Sequence, residues 1–523
     1  MAVTVALLLA GCGGGGGGGS SAFFATAAPE ASVAAPAPTA PAPASAPVEV
    51  DAIDVAAVRA GVSPFIAFVD LKLSNIEALA AVRWRIEPKP GSATKPVDVR
   101  YTKAYLERRG YSASVDGRLT IPVFGLYANH ANDVAVEVER NDHTVRALRT
   151  QVVTAAYVDP SGIYDRPRIL KSRAAGEALG FDFFYMRSAL GYPVVVDSDG
   201  QMRWAVPGTK SSSSSFFHGN GFVIGDSAAP TMRRVELDGT VREFALAQSD
   251  TTNFHHTIDT GKQGVLVELD ANINGVAIIE SILADVDPDS GTVFKQWDLA
   301  DTFSRQMQNA GEDSTAFVRP GTDWFHMNAA TYDPRDDSVI VSSRENFVVK
   351  IDYASGDLRW ILGDPSKYWH GFPSLAASSL TLAAGALYPI GQHAVSITHG
   401  GDLLLFNNGL ASLNQPVGVP VGDNRSYSAV LAYTIDAASQ SASEVWRFDY
   451  GQTILSDICS SAYEAGADTS ILVSYAVADQ RTHARLVALD ESRRVVFDFE
   501  YATSGCSTSW NAKPIDLGAL RFE

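Results

Sequence analysis

The sequence predicts an all-β protein, a six-bladed β-propeller preceded by a small β-sandwich-like N-terminal domain. Two observations carry that prediction. The first is a self-similar unit that recurs after residue 190: an apolar strand ending in Asp, a turn that usually holds Gly or Ser, then a strand with an aromatic residue. The second is short-range alternation of apolar and polar residues before residue 154, broken by turn residues. A chain of 523 residues, 46% hydrophobic and 10% aromatic, can bury a large core and exceeds the usual single-domain length.

Taken in chain order, residues 1–11 are a short apolar run, Val3-Thr4-Val5-Ala6-Leu7-Leu8-Leu9-Ala10-Gly11, too short to span a bilayer and readable as an export signal. Leu9-Ala10-Gly11-Cys12 resembles the bacterial lipobox, which makes Cys12 the lipidated mature N-terminus. The protein is then expected outside the cytoplasm, lipid-anchored to a bacterial membrane on its periplasmic side or at the cell surface. An ordinary signal with an incidental cysteine is the other reading, and it also implies export. Residues 12–55 hold a glycine run and an Ala/Pro/Ser tract and read as a tether that cannot build a core.

Residues 56–153 contain Asp116-Gly117-Arg118-Leu119-Thr120-Ile121-Pro122-Val123 and Asp133-Val134-Ala135-Val136-Glu137-Val138, the strands expected of the sandwich-like domain. Residues 154–523 hold the repeats of the propeller. Its six copies run from Val196-Asp197 to Trp204, Leu237-Asp238 to Phe244, Val286-Asp287 to Trp297, Ile351-Asp352 to Trp360, Ile435-Asp436 to Trp446 and Leu489-Asp490 to Phe497. Each marks a hairpin whose Asp caps the turn, and six copies suggest six blades.

The formal net charge of −18, with no Lys/Arg cluster to interrupt it, argues against a nucleic-acid partner. Cys459 and Cys506 are a candidate disulfide in an oxidising compartment; on the chain-entropy account such a loop contributes roughly 4 kcal/mol. Two separately buried thiols are the alternative. Neither cysteine has metal-ligand spacing to histidine, so no metal site is expected.

A propeller brings residues from different blades together around its channel. Several histidines occupy comparable places just before an apolar strand: His255 and His256 before Val265-Leu266-Val267, His326 before Val339-Ile340-Val341, and His393 before Leu403-Leu404-Leu405. Asn328 and Arg344 lie near them in sequence. Such a channel, with little acid contributed by these segments, suits a tetrahedral oxyanion such as sulfate or phosphate.

These residues resemble the bacterial aryl sulfotransferases, also called arylsulfate sulfotransferases. Trp324-Phe325-His326-Met327-Asn328-Ala329-Ala330 followed by Ser342-Ser343-Arg344 is similar to the family's His-x-Asn … Ser-Ser-Arg signature. Gly391-Gln392-His393 followed by Leu405-Phe406-Asn407-Asn408-Gly409 is similar to the segment of its nucleophilic histidine, Phe254-His255-His256 to its earlier His-His segment, and Ile121-Pro122-Val123-Phe124-Gly125-Leu126-Tyr127 to its N-terminal domain. The resemblance covers roughly residues 60 to 523. It implies ping-pong transfer from a phenolic sulfate donor to a phenol acceptor, with no nucleotide donor and no cofactor. His393 would be the nucleophile. His326 would act as acid/base or grip the sulfuryl group, and His256, His255, Asn328 and Arg344 would hold its oxygens, His256 being preferred over His255. Thr257 stands where the family usually has an acid, and Ser460 or Ser461 stands nearest to its hydroxyl in a later blade.

The rival reading is a non-catalytic propeller lipoprotein that binds an anionic ligand or glycan, since fold alone decides no function. An aryl sulfatase is the second rival. A homodimer is compatible with the sequence, which specifies no oligomeric state.

Overall fold

The computed structural model describes residues 52–523 apart from 114–115, 248–249 and 467–468. The export signal, Cys12 and the tether up to residue 51 lie outside the described residues. The tether expected to reach residue 55 ends earlier, because Ile53–Ala60 is already a strand paired antiparallel with Ile66–Leu73.

Among the described residues the strands form eight sheets. Two belong to the N-terminal region. Ile53–Ala60, Ile66–Leu73, Arg118–Phe124 and Ser112–Ala113 make one, and the other holds Leu79–Ile86, Val97–Thr102, Ala131–Arg140 and Val145–Val153. Val69, Leu71, Ile121 and Val123 of the first sheet share a buried core with Trp84, Val99 and Val136 of the second. Alternation is visible in Ala131–Arg140, where every second residue from Asn132 is buried. The same core runs on into Phe183, Trp204 and Phe222 of the propeller.

The boundary expected at residues 153 and 154 therefore does not leave the whole C-terminal part in the propeller. The last strand, Leu520–Phe522, returns to pair in parallel with Val97–Thr102. Its Phe522 ring packs 5.0 Å from the rings of both Tyr101 and Tyr105. The buried aromatic contact recruits a short strand that no local sequence pattern announces.

The other six sheets are the blades. Their inner strands, which contact one another in succession around the channel, are Ser215–His218, Thr251–Thr260, Met327–Asp333, His393–Ile397, Ser461–Ala465 and Asn511–Ile515. Ring closure is built by crossing the chain ends. Asn511–Ile515 supplies the inner strand of the sheet of Phe183–Arg187, Val194–Asp197 and Met202–Trp204, while Arg168–Lys171 pairs with Val495–Ala502 at the outer edge of the preceding blade.

All six Asp turns sit between the last two antiparallel strands of their blades' up-and-down run. In each the carboxylate accepts backbone N–H bonds: Asp197 from Asp199 and Gln201, Asp238 from Thr240, Asp287 from Asp289, Asp352 from Ala354 and Ser355, Asp436 from Ala438 and Ser439, and Asp490 from Arg494. The aromatic residues then join blades. Trp204 donates its indole N–H to Leu237 O of the next blade at 2.9 Å, and Trp297 does the same to Tyr353 O at 3.1 Å. The fold is an all-β, six-bladed propeller with a sandwich-like N-terminal pair of sheets, and the starts of its inner strands converge at one mouth.

Candidate active site

The inner strands enter that mouth with irregular backbone. His256, His326, Ala394, Cys459 and Ser460 all have positive φ, from 33° to 80°. Non-glycine residues adopt this region at a cost, and such positions cluster at functional sites. In Thr251–Thr260 the pairing register shifts between His255 and Ile258. A bulge of this kind breaks the alternation of the strand and re-aims its side chains, while the flanking Phe254 and Ile258 stay fully buried. Fully buried Arg187 braces the bulge by donating to Thr257 Oγ1 and Ile258 O. Thr257 thus serves as an acceptor for a cation beneath the site.

The two neighbouring histidines part ways. The His255 side chain is 31% exposed and points its two ring nitrogens at carboxylates, Nε2 at Asp270 (3.2 Å) and Nδ1 at Glu280 (2.9 Å). Burial pulls its pKa down, but the two carboxylates outweigh this and push it up to about 10. The His256 side chain is 7% exposed, 4.8 Å ring to ring from His326 and 5.4 Å from Trp510. Its Nε2 donates to Glu280 at 3.1 Å, yet burial dominates and lowers its pKa.

His326 follows the buried Trp324-Phe325 pair, which anchors it from the hydrophobic side. Its Nδ1 donates to Asp323 at 2.7 Å and to Glu280 at 2.8 Å. Burial lowers its pKa and these two carboxylates raise it, with a net rise. Glu280 is therefore shared by His255, His256 and His326, and the histidines hold its carboxyl far below the usual carboxylate range against the opposing effect of burial.

His393 lies on the next blade. Gly391, at φ 62°, lets the chain pass Leu410 O, which a Cβ at that position would meet at 2.6 Å. Gln392 laces the two blades together: its Nε2 donates to Ser343 O at 2.7 Å, and its carbonyl accepts from Asn328 Nδ2 at 2.7 Å. His393 Nδ1 then sits 2.8 Å from Asn408 Oδ1 and 3.0 Å from Gly391 O. Burial above all, with the fields of His256, His326 and Arg344, holds this imidazole well below the usual histidine range, so it is neutral at neutral pH.

Arg344 is buried and bonded through Nη2 to Glu345. The other Glu345 oxygen accepts from the backbone N–H groups of Leu413 and Asn414, each at 2.8 Å. Lys367 donates to Glu345 O, and burial lowers its ammonium pKa to about 8 despite nearby Glu345 and Asp364.

The segments of the motifs were expected to contribute little acid, but carboxylates from beside and beyond them surround the site. Asp270, Glu280, Asp323 and Glu345 all contact them. Three of the four arrive from segments that carry none of the histidines, and Glu280 reaches the site from the middle of Val276–Val286 at φ 46°. Glu280 is one of two charged residues, with Asp285, in this mostly apolar strand, and a charge at such a position was the available signal. Neither candidate hydroxyl is uncommitted: Ser461 Oγ bonds Ala512 O and Ser460 Oγ accepts from Ala476 N. Asn328 Nδ2 braces the backbone before His393 by donating to Gln392 O. Cys459 and Cys506 are joined in a disulfide beside Trp510.

Among the described residues, ligand atoms of His255, His256 and Glu280, and of Glu280, Asp323 and His326, lie close enough together to hold a cation. The same atoms already satisfy one another by hydrogen bonds. The arrangement offers a neutral buried imidazole, a proton-bearing imidazole and a guanidinium, a set suited to displacement at an anionic tetrahedral centre.

The profile of the arylsulfotransferase (ASST) family matches residues 172–511, a span that includes every histidine, Asn328 and Arg344 of the site. The arylsulfate sulfotransferase AssT of Escherichia coli O6:H1 is 24% identical over 495 residues, covering 74% of this chain and 78% of its own. AssT of Lelliottia amnigena is 23% identical over 467 residues, covering 68% and 74%. Among solved structures, the β-propeller domain of Cps50 (Swd1) from Myceliophteria thermophila aligns with a TM-score of 0.34 at 10% identity, covering 64% of this chain and 85% of that one.

Proposed function

The chain belongs to the arylsulfotransferase family, and we propose that it moves a sulfuryl group from a phenolic sulfate ester to a phenol through a sulfohistidine at His393, without a nucleotide donor. The observation that carries this reading is the state of His393: buried, neutral, and with Nδ1 committed to two oxygen acceptors, which leaves the Nε2 lone pair for attack.

In the first half-reaction Nε2 attacks sulfur, the Nε2–S bond forms, and the S–O bond to the phenol oxygen breaks. The departing oxygen takes the electron pair and then a proton. His326 is the donor, since Asp323 and Glu280 raise its pKa and keep it protonated. Arg344 bears on the sulfuryl oxygens while charge shifts to the leaving oxygen, and Glu345 fixes its guanidinium in place. In the second half-reaction neutral His326 takes the proton of the acceptor phenol, whose oxygen attacks sulfur and releases His393. One displacement becomes two easier ones.

His256 faces this centre in the same reading, and His255 anchors Glu280 from the solvent side. The expected export and lipid anchoring through Cys12 would place the reaction outside the cytoplasm, within reach of externally supplied phenols. The test is nitrophenol release from 4-nitrophenyl sulfate with and without a second phenol. Release that requires the added phenol supports transfer. Release at the same rate without it makes the protein a sulfatase, and no release with several donors and acceptors returns it to the binding-propeller reading.

A further inference from the structure

We propose that Asn408 is the positioning residue that fixes the tautomer of His393, an inference that rests on His393 being the nucleophile. An imidazole attacks only through a nitrogen with a free lone pair, and the hydrogen bonds that its two distinct nitrogens make set which of them carries the proton in the neutral ring. His393 Nδ1 has two neighbours. Gly391 O, at 3.0 Å, is a carbonyl and can only accept. Asn408 lies at 2.8 Å, but an amide offers either oxygen or nitrogen, and its orientation decides whether it supports or opposes the tautomer.

That orientation is set by the rest of the site. Asn408 Nδ2 points at two backbone carbonyls, Ser456 O at 2.7 Å and Cys459 O at 2.9 Å. Both can only accept, so both amide hydrogens are used there and Oδ1 is turned to His393. Asn408 is fully buried, and turning it over would leave three buried acceptors facing acceptors or lacking a donor. Ser428 Oγ adds rigidity by donating to Asn408 O at 2.9 Å. The proton is thereby confined to Nδ1.

The same contact grows stronger during reaction. When Nε2 forms its bond to sulfur, the ring becomes an imidazolium and Nδ1–H carries part of the positive charge. Its bonds to Asn408 Oδ1 and Gly391 O change from neutral to charge-assisted without any atom moving. No proton is transferred to Asn408, and the Nδ1–H bond stays intact through both half-reactions. Asn408 touches no substrate atom and acts only through His393.

Three variants test this in the full chain. Asn408→Ala removes the orienting acceptor while leaving Gly391 O, and kcat is expected to fall about 10- to 100-fold with little change in KM, the loss of one hydrogen bond to a charged group. Asn408→Asp keeps an acceptor toward Nδ1 and so retains the tautomer, while it gives up the donor to Ser456 O and Cys459 O and is expected to lower the urea midpoint; its carboxylate raises the His393 pKa, so the acid limb of the kcat profile moves to higher pH. His393→Asn identifies the His393 signals in a two-bond 1H–15N spectrum of 15N-histidine-labelled protein, which distinguishes Nδ1–H from Nε2–H directly. Wild type is expected in the Nδ1–H form and Asn408→Ala with a measurable Nε2–H population. Unchanged kcat in Asn408→Ala with the pure Nδ1–H signal retained would overturn the proposal, because Gly391 O would then suffice. A fully active His393→Asn would instead overturn the nucleophile assignment on which the inference stands. Circular dichroism of each variant separates these outcomes from misfolding.

Discussion

Replacing Glu280 by Gln removes one negative charge and leaves shape almost unchanged. The carboxylate accepts from His255 at 2.9 Å, His256 at 3.1 Å and His326 at 2.8 Å. A unit ion pair at 2.9 Å, as for His255, is worth about 6 kcal/mol at an effective dielectric of about 20, before desolvation is subtracted. Breaking a buried pair by removing one partner costs about 3–5 kcal/mol net. His255 keeps Asp270 and His326 keeps Asp323, so the loss belongs at the lower end, about 3 kcal/mol. Its pH dependence follows from His255, whose folded pKa of about 10 lies above the unfolded value. The stability this ion pair contributes is fully present below about 6.5, the ordinary histidine pKa, and is lost as pH rises through about 10. Urea denaturation at pH 7 and pH 10 should therefore show a large deficit for Glu280→Gln at pH 7 that narrows at pH 10. Activity should respond as well. His326 loses one of the two carboxylates that raise its pKa, so the alkaline limb of the kcat profile moves to lower pH. A deficit below about 0.5 kcal/mol at pH 7, the level of an ordinary surface substitution, together with an unmoved alkaline limb, would show that Glu280 does not hold these histidines charged.

Two further outcomes follow from the same geometry. Arg344→Lys keeps the charge but gives up the planar fork that Glu345 orients, and kcat should fall by about 100-fold, the scale of one lost transition-state donor, with the urea midpoint little changed; a near-normal kcat would show that charge alone is enough. Cys506→Ser opens a loop with a sequence separation of 47 residues, and stability should drop by about 4 kcal/mol on the chain-entropy account, read as a lower urea midpoint than wild type under non-reducing conditions.

Much of the fold was legible because it rests on local turn chemistry. An Asp that caps its own hairpin is visible in sequence, and all six proposed turns are capped hairpins between adjacent strands. His326 and His393 were legible for a related reason, since each immediately precedes or begins an inner strand. Residues that depend on neighbouring strands or blades were not. Glu280 lies within a mostly apolar strand that also carries Asp285, and it reaches the histidines only through its positive φ and the strand pairing of its blade. Asp323 belongs to a loop, and its partner Asn414 comes from a different blade. Asn408 stood within a recognised segment, but its role depends on two carbonyls near residue 460. Leu520–Phe522 is too short to show periodicity, and its pairing is decided by where the closed ring leaves the chain end.

The most direct test of the account is to react the protein with 4-nitrophenyl sulfate in the absence of acceptor, quench it at mildly alkaline pH, digest it with trypsin, and fragment the peptide of residues 368–425 by mass spectrometry. This peptide is expected to gain one SO3 group on His393 that added phenol removes, and neither His370 nor His399 is expected to carry it. Rapid turnover with no sulfated peptide at any quench time, or with full turnover retained in His393→Asn, would contradict a covalent route through His393.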